Sequence, residues 1–154
     1  MQNHSDCFQK VKTRCLDFIT SQETKKEKFK NKGKMIKNFL IPICFWINKN
    51  KLKNKTFIIG LAGGQGTGKT TISSLIKLIL TTYFKLNVFK ISIDDFYKTR
   101  KERLKLSKSI HPLLLTRGVP GTHDVDMMNK LFYNIKKKKF NTMLIPKFDK
   151  SIDD

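Results

Sequence analysis

Hydrophobic positions change their rhythm near residue 50. Before it, Phe8, Val11, Cys15, Phe18 and Ile19 recur at helix spacing with polar residues between them, which predicts an amphipathic helix. A second apolar segment, Met35 to Ile47, is interrupted by Pro42 and is expected to pack on the main domain. The stretch between them, Lys25 to Lys37, is strongly basic and reads as a solvated linker or helix face, because few aromatics interleave its lysines. Residues 1–50 are therefore expected to form a basic helical arm.

Residues 51–154 have a different texture. Thr56 to Ala62 is a nearly continuous apolar run, as expected of a strand buried on both faces. Ile72, Leu75, Ile76, Ile79, Leu80 and Tyr83 then trace one face of a helix. A second strand is predicted over Asn87 to Ile93. Val125, Met128, Leu131, Phe132 and Ile135 mark another helix, with Thr122 or Asp124 as its N-cap and Lys136 to Lys139 at its end. Asn141 to Ile145 predicts a third strand, closed by Pro146. This alternation predicts an α/β domain: a parallel sheet with flanking helices and right-handed crossovers.

Composition narrows the partners. At 154 residues with 39% hydrophobic content, the chain is about one domain long and too apolar to be wholly disordered. Its formal charge of +20 calls for an acidic partner such as a nucleic acid, a membrane surface or a phosphorylated small molecule. The basic residues, however, are 28 Lys against 4 Arg. Arg supplies the planar fork used in base and phosphate recognition, so this balance disfavours nucleic acid and reads mainly as a compositional drift toward Lys. Cys7, Cys15 and Cys44 show no paired metal-ligand spacing and read as reduced core thiols. The longest strictly apolar run, Phe39 to Ile47, falls far short of the roughly 20 residues that cross a bilayer. The first residues lack the apolar core of a signal peptide. A cytoplasmic protein without a membrane partner is expected.

The sharpest chemical signal is Gly63-Gly64-Gln65-Gly66-Thr67-Gly68-Lys69-Thr70, which fits the phosphate-binding pattern G-x-x-x-x-G-K-[ST] between a predicted strand and a predicted helix. Glycines let successive backbone N–H groups converge on a polyphosphate, and the helix N-terminus adds partial positive charge. Lys69 is expected to bridge β- and γ-phosphate oxygens of ATP, and the Thr70 hydroxyl to ligate Mg2+. Thr71 is a weaker second candidate for the same site. These features predict a P-loop NTPase sheet.

The second predicted strand ends at Asp94-Asp95-Phe96-Tyr97. In a parallel sheet the carboxyl ends of neighbouring strands line one crevice, which would bring this acidic pair to the γ-phosphate. A carboxylate there can accept the proton of an attacking hydroxyl. Alternatively, an Asp at such a position caps the following turn. One of each is expected, with Asp94 as the base.

Ser92-Ile93-Asp94-Asp95-Phe96-Tyr97 resembles the D-[SDG]-F-[YHL] element of the P-loop small-molecule kinases, among them uridine kinase, phosphoribulokinase and pantothenate kinase. Within that group the chain is most similar to the D-glycerate 3-kinase branch. The likeness is carried by Gly63-Gly64-Gln65-Gly66, by His111 to Asp124 (HPLLLTRGVPGTHD) and by Ile145 to Ser151 (IPKFDKS). The resemblance implies ATP and Mg2+ as cofactors, Asp94 and Lys69 as catalytic residues, and a small hydroxy acid such as D-glycerate as acceptor. It places Asp95, Tyr97, Arg117 and His123 at the acceptor, where a guanidinium can grip a carboxylate bidentately. For Arg117 the alternative is a structural ion pair, and for His123 a hydrogen bond that positions its loop. Asp124 reads as a helix cap, and Asp149 and Lys150 lie where relatives place substrate-pocket residues.

Such kinases continue well past the segment matching Pro146 to Asp154, through a later strand, a lid and the adenine site. The 154 residues thus read as the N-terminal half of the domain, with little activity expected from them alone. Two rivals remain: a uridine- or pantothenate-type kinase, and a non-catalytic basic module that binds nucleotide or nucleic acid.

Overall fold

Helix α1 (His4–Ser21) starts where Asn3 Oδ1 accepts the Asp6 N–H at 2.7 Å, and it buries Cys7, Val11, Cys15 and Ile19 along one face. It opens the computed structural model, which describes residues 3–26, 28–53, 55–137 and 143–154. The chain divides into two compact units, Met1–Lys90 and Ile91–Asp154.

In the first unit, α2 (Lys32–Met35) runs through a π-helical turn, Ile36–Leu40, into α3 (Ile41–Asn50). Pro42 explains the wide turn. Proline lacks an N–H and its ring clashes with the carbonyl four residues back, so the helix widens ahead of it instead of ending. The Ile41 N–H accordingly donates to Ile36 O. Helix α4 (Lys69–Thr82) packs its buried face, Leu75, Ile79 and Leu80, with α1 and α3 to complete the core. All three cysteines are free and buried in that core, where burial pushes the thiols up to about 11 at Cys7 and about 12 at Cys15 and Cys44. Thiols held this far from ionisation are unreactive. Truncating fully buried Leu75 to Ala is expected to destabilise the first unit by about 2–5 kcal/mol, measured by chemical denaturation, because α1 and α3 cannot collapse onto the cavity.

The expected parallel sheet is absent among the described residues. The lone β-pairing there is one antiparallel bridge, Tyr97 with His123. Residues 56–62 and 87–92 are irregular and pair with no strand. Phe57, Ile58, Ile59 and Leu61 are 39–50% exposed, not buried on two faces. The physical reason is that an apolar run is equally compatible with an extended segment, and a parallel ladder forms only when neighbouring strands satisfy its N–H and C=O groups on both sides. Two short runs without such neighbours make no sheet. The third predicted strand begins at residues 141 and 142, outside the described residues, and 143–145 are not strand. The architecture described is helical.

The second unit is built from capped turns. Ser92 Oγ accepts the Asp94 N–H at 3.2 Å and Asp95 Oδ2 accepts the Ser92 N–H at 3.1 Å, opening a 3-10 turn, Ile93–Phe96. Thr99 and Glu102 form a second reciprocal box that starts α5 (Arg100–Ser109). A 3-10 turn at Pro112–Leu115 follows, and then α6 (Val125–Lys137), whose first turn is capped by Asp124 Oδ1 on the Met127 N–H at 2.8 Å. Among the described residues no helix is long and apolar enough to cross a membrane.

Candidate functional site

In the first unit the glycine loop leads directly into α4. Gly68 caps that helix in the left-handed region (φ 79°), and its carbonyl accepts the Ile72 N–H at 2.9 Å. A cap without a side chain leaves the first-turn N–H groups to whatever binds in front of them. Thr67 Oγ1 donates to Gly64 O at 2.8 Å, closing the loop. A Cβ on Gly63 would stand 3.0 Å from that hydroxyl, so a larger residue there would push the Thr67 side chain aside. Lys69 Nζ reaches back across the loop and donates to the carbonyls of Gly63, at 2.6 Å, and Gly64. Gln65, Gly66 and Thr70 are exposed, and Thr71 is half-buried on the same first turn. Nothing lies within 4 Å of an added Cβ at Gly68, so Gly68→Ala is expected to cost only the left-handed backbone strain, about 1–2 kcal/mol, read as a fall in thermal stability.

The Thr70 hydroxyl, an exposed oxygen donor on the first turn of α4, fits one ligand of a hard cation whose charge is balanced by bound phosphates. Among the described residues no three His, Cys, Asp or Glu side chains gather to hold a metal ion.

The second unit carries the acidic pair. The same box that starts the turn turns Asp94 and Asp95 to different partners: Lys150 Nζ donates to Asp94 Oδ2 at 2.6 Å, and Lys147 Nζ to Asp95 Oδ1 at 3.0 Å. Asp95 also caps the turn, whereas Asp94 does not. Lys150 holds the Asp94 carboxyl below the usual carboxylate range, against the opposing effect of partial burial; the Tyr97 hydroxyl and His123 favour its charged form as well. Because the folded-state pKa is depressed, this pairing stabilises the fold above the ordinary carboxylate range and is lost as pH falls through the lowered value. Tyr97 moves the other way, raised first by burial and then by the Asp94 charge.

Tyr97 lies flat against His123, ring centroids 4.2 Å apart, and edge-on to Phe148 at 5.1 Å. Backbone bonds fix that pairing: the Lys98 N–H donates to Thr122 O and the Asp124 N–H to Phe96 O. His123 Nε2 is buried and has no hydrogen-bond partner among the described residues. Arg117 Nη1 donates to Asp153 Oδ1 at 2.8 Å and to Lys150 O at 3.3 Å. The second unit thus gathers Asp94, Asp95, Tyr97, Arg117 and His123, while the loop residues Gly63 to Thr71 belong to the first. With the sheet absent, the strand-end argument for placing Asp94 falls away; its local environment stands without it.

Sequence reasoning passed over Arg103, the largest fully buried side chain among the described residues. Thr99-x-x-Glu102 is a helix-start pattern that places Arg103 in a helix, but its burial rests on the carbonyls of Lys98, Leu115 and Asp153, which no local pattern marks.

Comparison with known proteins adds a second line. The chain is 39% identical over 103 residues to an uncharacterized kinase of Schizosaccharomyces pombe, covering 66% of this chain and 37% of the relative. It is 37% identical over 101 residues to a probable ATP-dependent kinase of Saccharomyces cerevisiae, covering 60% and 35%. A pantothenate kinase of Lactococcus lactis is 28% identical over 86 residues, covering 55% and 26%. Its relatives are kinases. The chain spans little more than a third of the length of the first two kinase relatives. No protein-family model and no solved structure matches it significantly.

Proposed function

We propose that the chain serves an ATP-dependent phosphotransferase that acts on a small hydroxy acid, D-glycerate being the acceptor its motifs fit best. In this reading residues 51–154 carry the kinase chemistry and residues 1–50 are a basic helical arm, in a cytoplasmic protein. The observation that carries the proposal is Lys69 folded over a glycine loop at the start of α4. That arrangement suits a polyphosphate, with loop and first-turn N–H groups on its oxygens and the ammonium bridging them. Mg2+ held by Thr70 and phosphate oxygens would supply charge neutralisation.

The chain's own residues do the rest. Asp94, kept as a carboxylate, accepts the proton of the acceptor hydroxyl as that oxygen attacks the γ-phosphorus. Asp95 holds the turn that presents it. Lys150, Tyr97 and His123 face Asp94, and the same unit holds Arg117 and the exposed Lys147 ammonium, groups able to meet a carboxylate. The names of other relatives, a pantothenate kinase and a uridine-cytidine kinase, favour a second reading in which the acceptor is the hydroxyl of a pantothenate- or nucleoside-type molecule. An active preparation offered D-glycerate, uridine and pantothenate at equal concentration is expected to phosphorylate D-glycerate with the highest kcat/KM. Preference for either other acceptor would replace glycerate in the assignment.

A further inference from the structure

Arg103 is completely buried, yet it lies in the first turn of α5, whose other residues are mostly exposed. Its guanidinium ties three separate segments together. Nε donates to Lys98 O at 3.0 Å, Nη1 to Leu115 O at 2.7 Å and Nη2 to Asp153 O at 2.7 Å. Nη2 also pairs with Asp153 Oδ2 at 2.9 Å. Every face of the fork is thereby used, which offsets the cost of burying a charge.

The segment it holds is a closed turn. The Asp149 and Asp154 backbones exchange hydrogen bonds of 2.7 and 3.2 Å, Ser151 donates to Asp149 Oδ1, and Asp153 adopts a left-handed conformation (φ 60°). Asp154 Oδ1 accepts the Arg100 N–H at the head of α5, and Asp153 Oδ1 accepts from Arg117. Phe148 is buried, with both guanidinium groups 5.8 Å from its ring centre. Two lysines project from this anchored turn, and each ends on one member of the acidic pair.

We infer that Arg103 is a positioning residue: by fixing Asp153 and Phe148 it sets the turn of residues 147–153 so that Lys150 reaches Asp94 and Lys147 reaches Asp95. Its meaning for catalysis rests on the reading of Asp94 as the base; the clasp itself does not. A left-handed aspartate turn on two long lysine side chains has no reason to hold one register unless something buried fixes it, and Arg103 is the buried group that touches it. Lys has a single point of attachment and cannot replace a fork that serves Lys98, Leu115 and Asp153 together.

The test reads Asp94 directly, without phosphoryl transfer. Its side-chain carboxyl resonance is followed by carbon NMR against pH in the full chain and in Lys150→Gln, Asp153→Asn and Arg103→Ala. The groups facing Asp94 that could also move its midpoint are the Tyr97 hydroxyl, His123 and the neighbouring Asp95 with its Lys147, and none of these is altered. Lys150→Gln is expected to raise the midpoint, Asp153→Asn and Arg103→Ala to raise it similarly, and the double variant Arg103→Ala with Lys150→Gln to add nothing further. Added guanidinium ion is expected to return Arg103→Ala toward the wild-type midpoint and to leave Lys150→Gln unchanged. Asp153 is partly exposed and pairs with Arg117 as well, so if Arg103→Ala does not fold, Asp153→Asn is read beside Arg117→Ala, which is expected to raise the midpoint less; an equal rise in Arg117→Ala overturns the inference. A midpoint that rises in Lys150→Gln and stays put in Asp153→Asn overturns the inference, and so does one that Lys150→Gln leaves unmoved. Failure of Asp94 as base would show instead as an active Asp94→Asn enzyme with these shifts intact.

Discussion

Asp94→Asn is expected to leave ATP affinity unchanged and to slow phosphoryl transfer by about 10²–10⁴-fold in an active preparation, the usual worth of a positioned general base. The substitution keeps the shape of the side chain and removes its capacity to take a proton. It spares the turn, because that turn is held by Ser92 and Asp95 and not by Asp94. Asn also loses the ion pair with Lys150, so Lys150→Gln is the necessary companion: it breaks the same pair and leaves the carboxylate. Loss of turnover in Asp94→Asn with most of it retained in Lys150→Gln identifies the base. Measured kcat and KM for both variants decide it, and an Asp94→Asn enzyme with wild-type kcat would remove Asp94 from that role.

The second large effect belongs to Lys69. Lys69→Ala removes the ammonium that lies over Gly63 and Gly64 and is expected to weaken ATP binding by about 10- to 100-fold, since a hydrogen bond to a charged group contributes about 1.5–3 kcal/mol. Helix α4 should persist, because Ala is a strong helix former and the buried face is Leu75, Ile79 and Leu80. Unchanged circular dichroism with reduced affinity by calorimetry is the expected combination. Equal affinity in the two proteins would mean that the loop does not grip phosphate.

How much of this was legible in the sequence depended on the kind of signal. The helices came through because period 3.6 needs no partner: Val11, Cys15 and Ile19 fall on the buried face of α1, and Leu75, Ile79 and Leu80 on that of α4. The sheet misled because strands are a collective property, and Thr56 to Ala62 has the composition of a buried strand without neighbours to make it one. Pro42 was read as an interruption, whereas a π turn carries the helix past it. In the candidate site, the glycine loop and the helix that follows it were legible from spacing, and Gly68 caps α4 at that junction. The lysine partners of Asp94 and Asp95 lie more than fifty residues away along the chain, and only folding brings them together. Arg103 sits among Arg100, Lys101, Glu102 and Lys105 in the sequence, and its burial was not legible there, since it depends on carbonyls contributed by Lys98, Leu115 and Asp153.

A chain of charge +20 will attract any polyphosphate weakly, so the decisive measurement must separate a built site from general attraction. Phosphorus NMR of Mg·ATP titrated with the protein at physiological salt does so. The account predicts saturable shifts confined mainly to the β- and γ-phosphate resonances in the wild type, largely lost in Lys69→Ala. Equal, salt-sensitive broadening of all three phosphate signals in both proteins would contradict it.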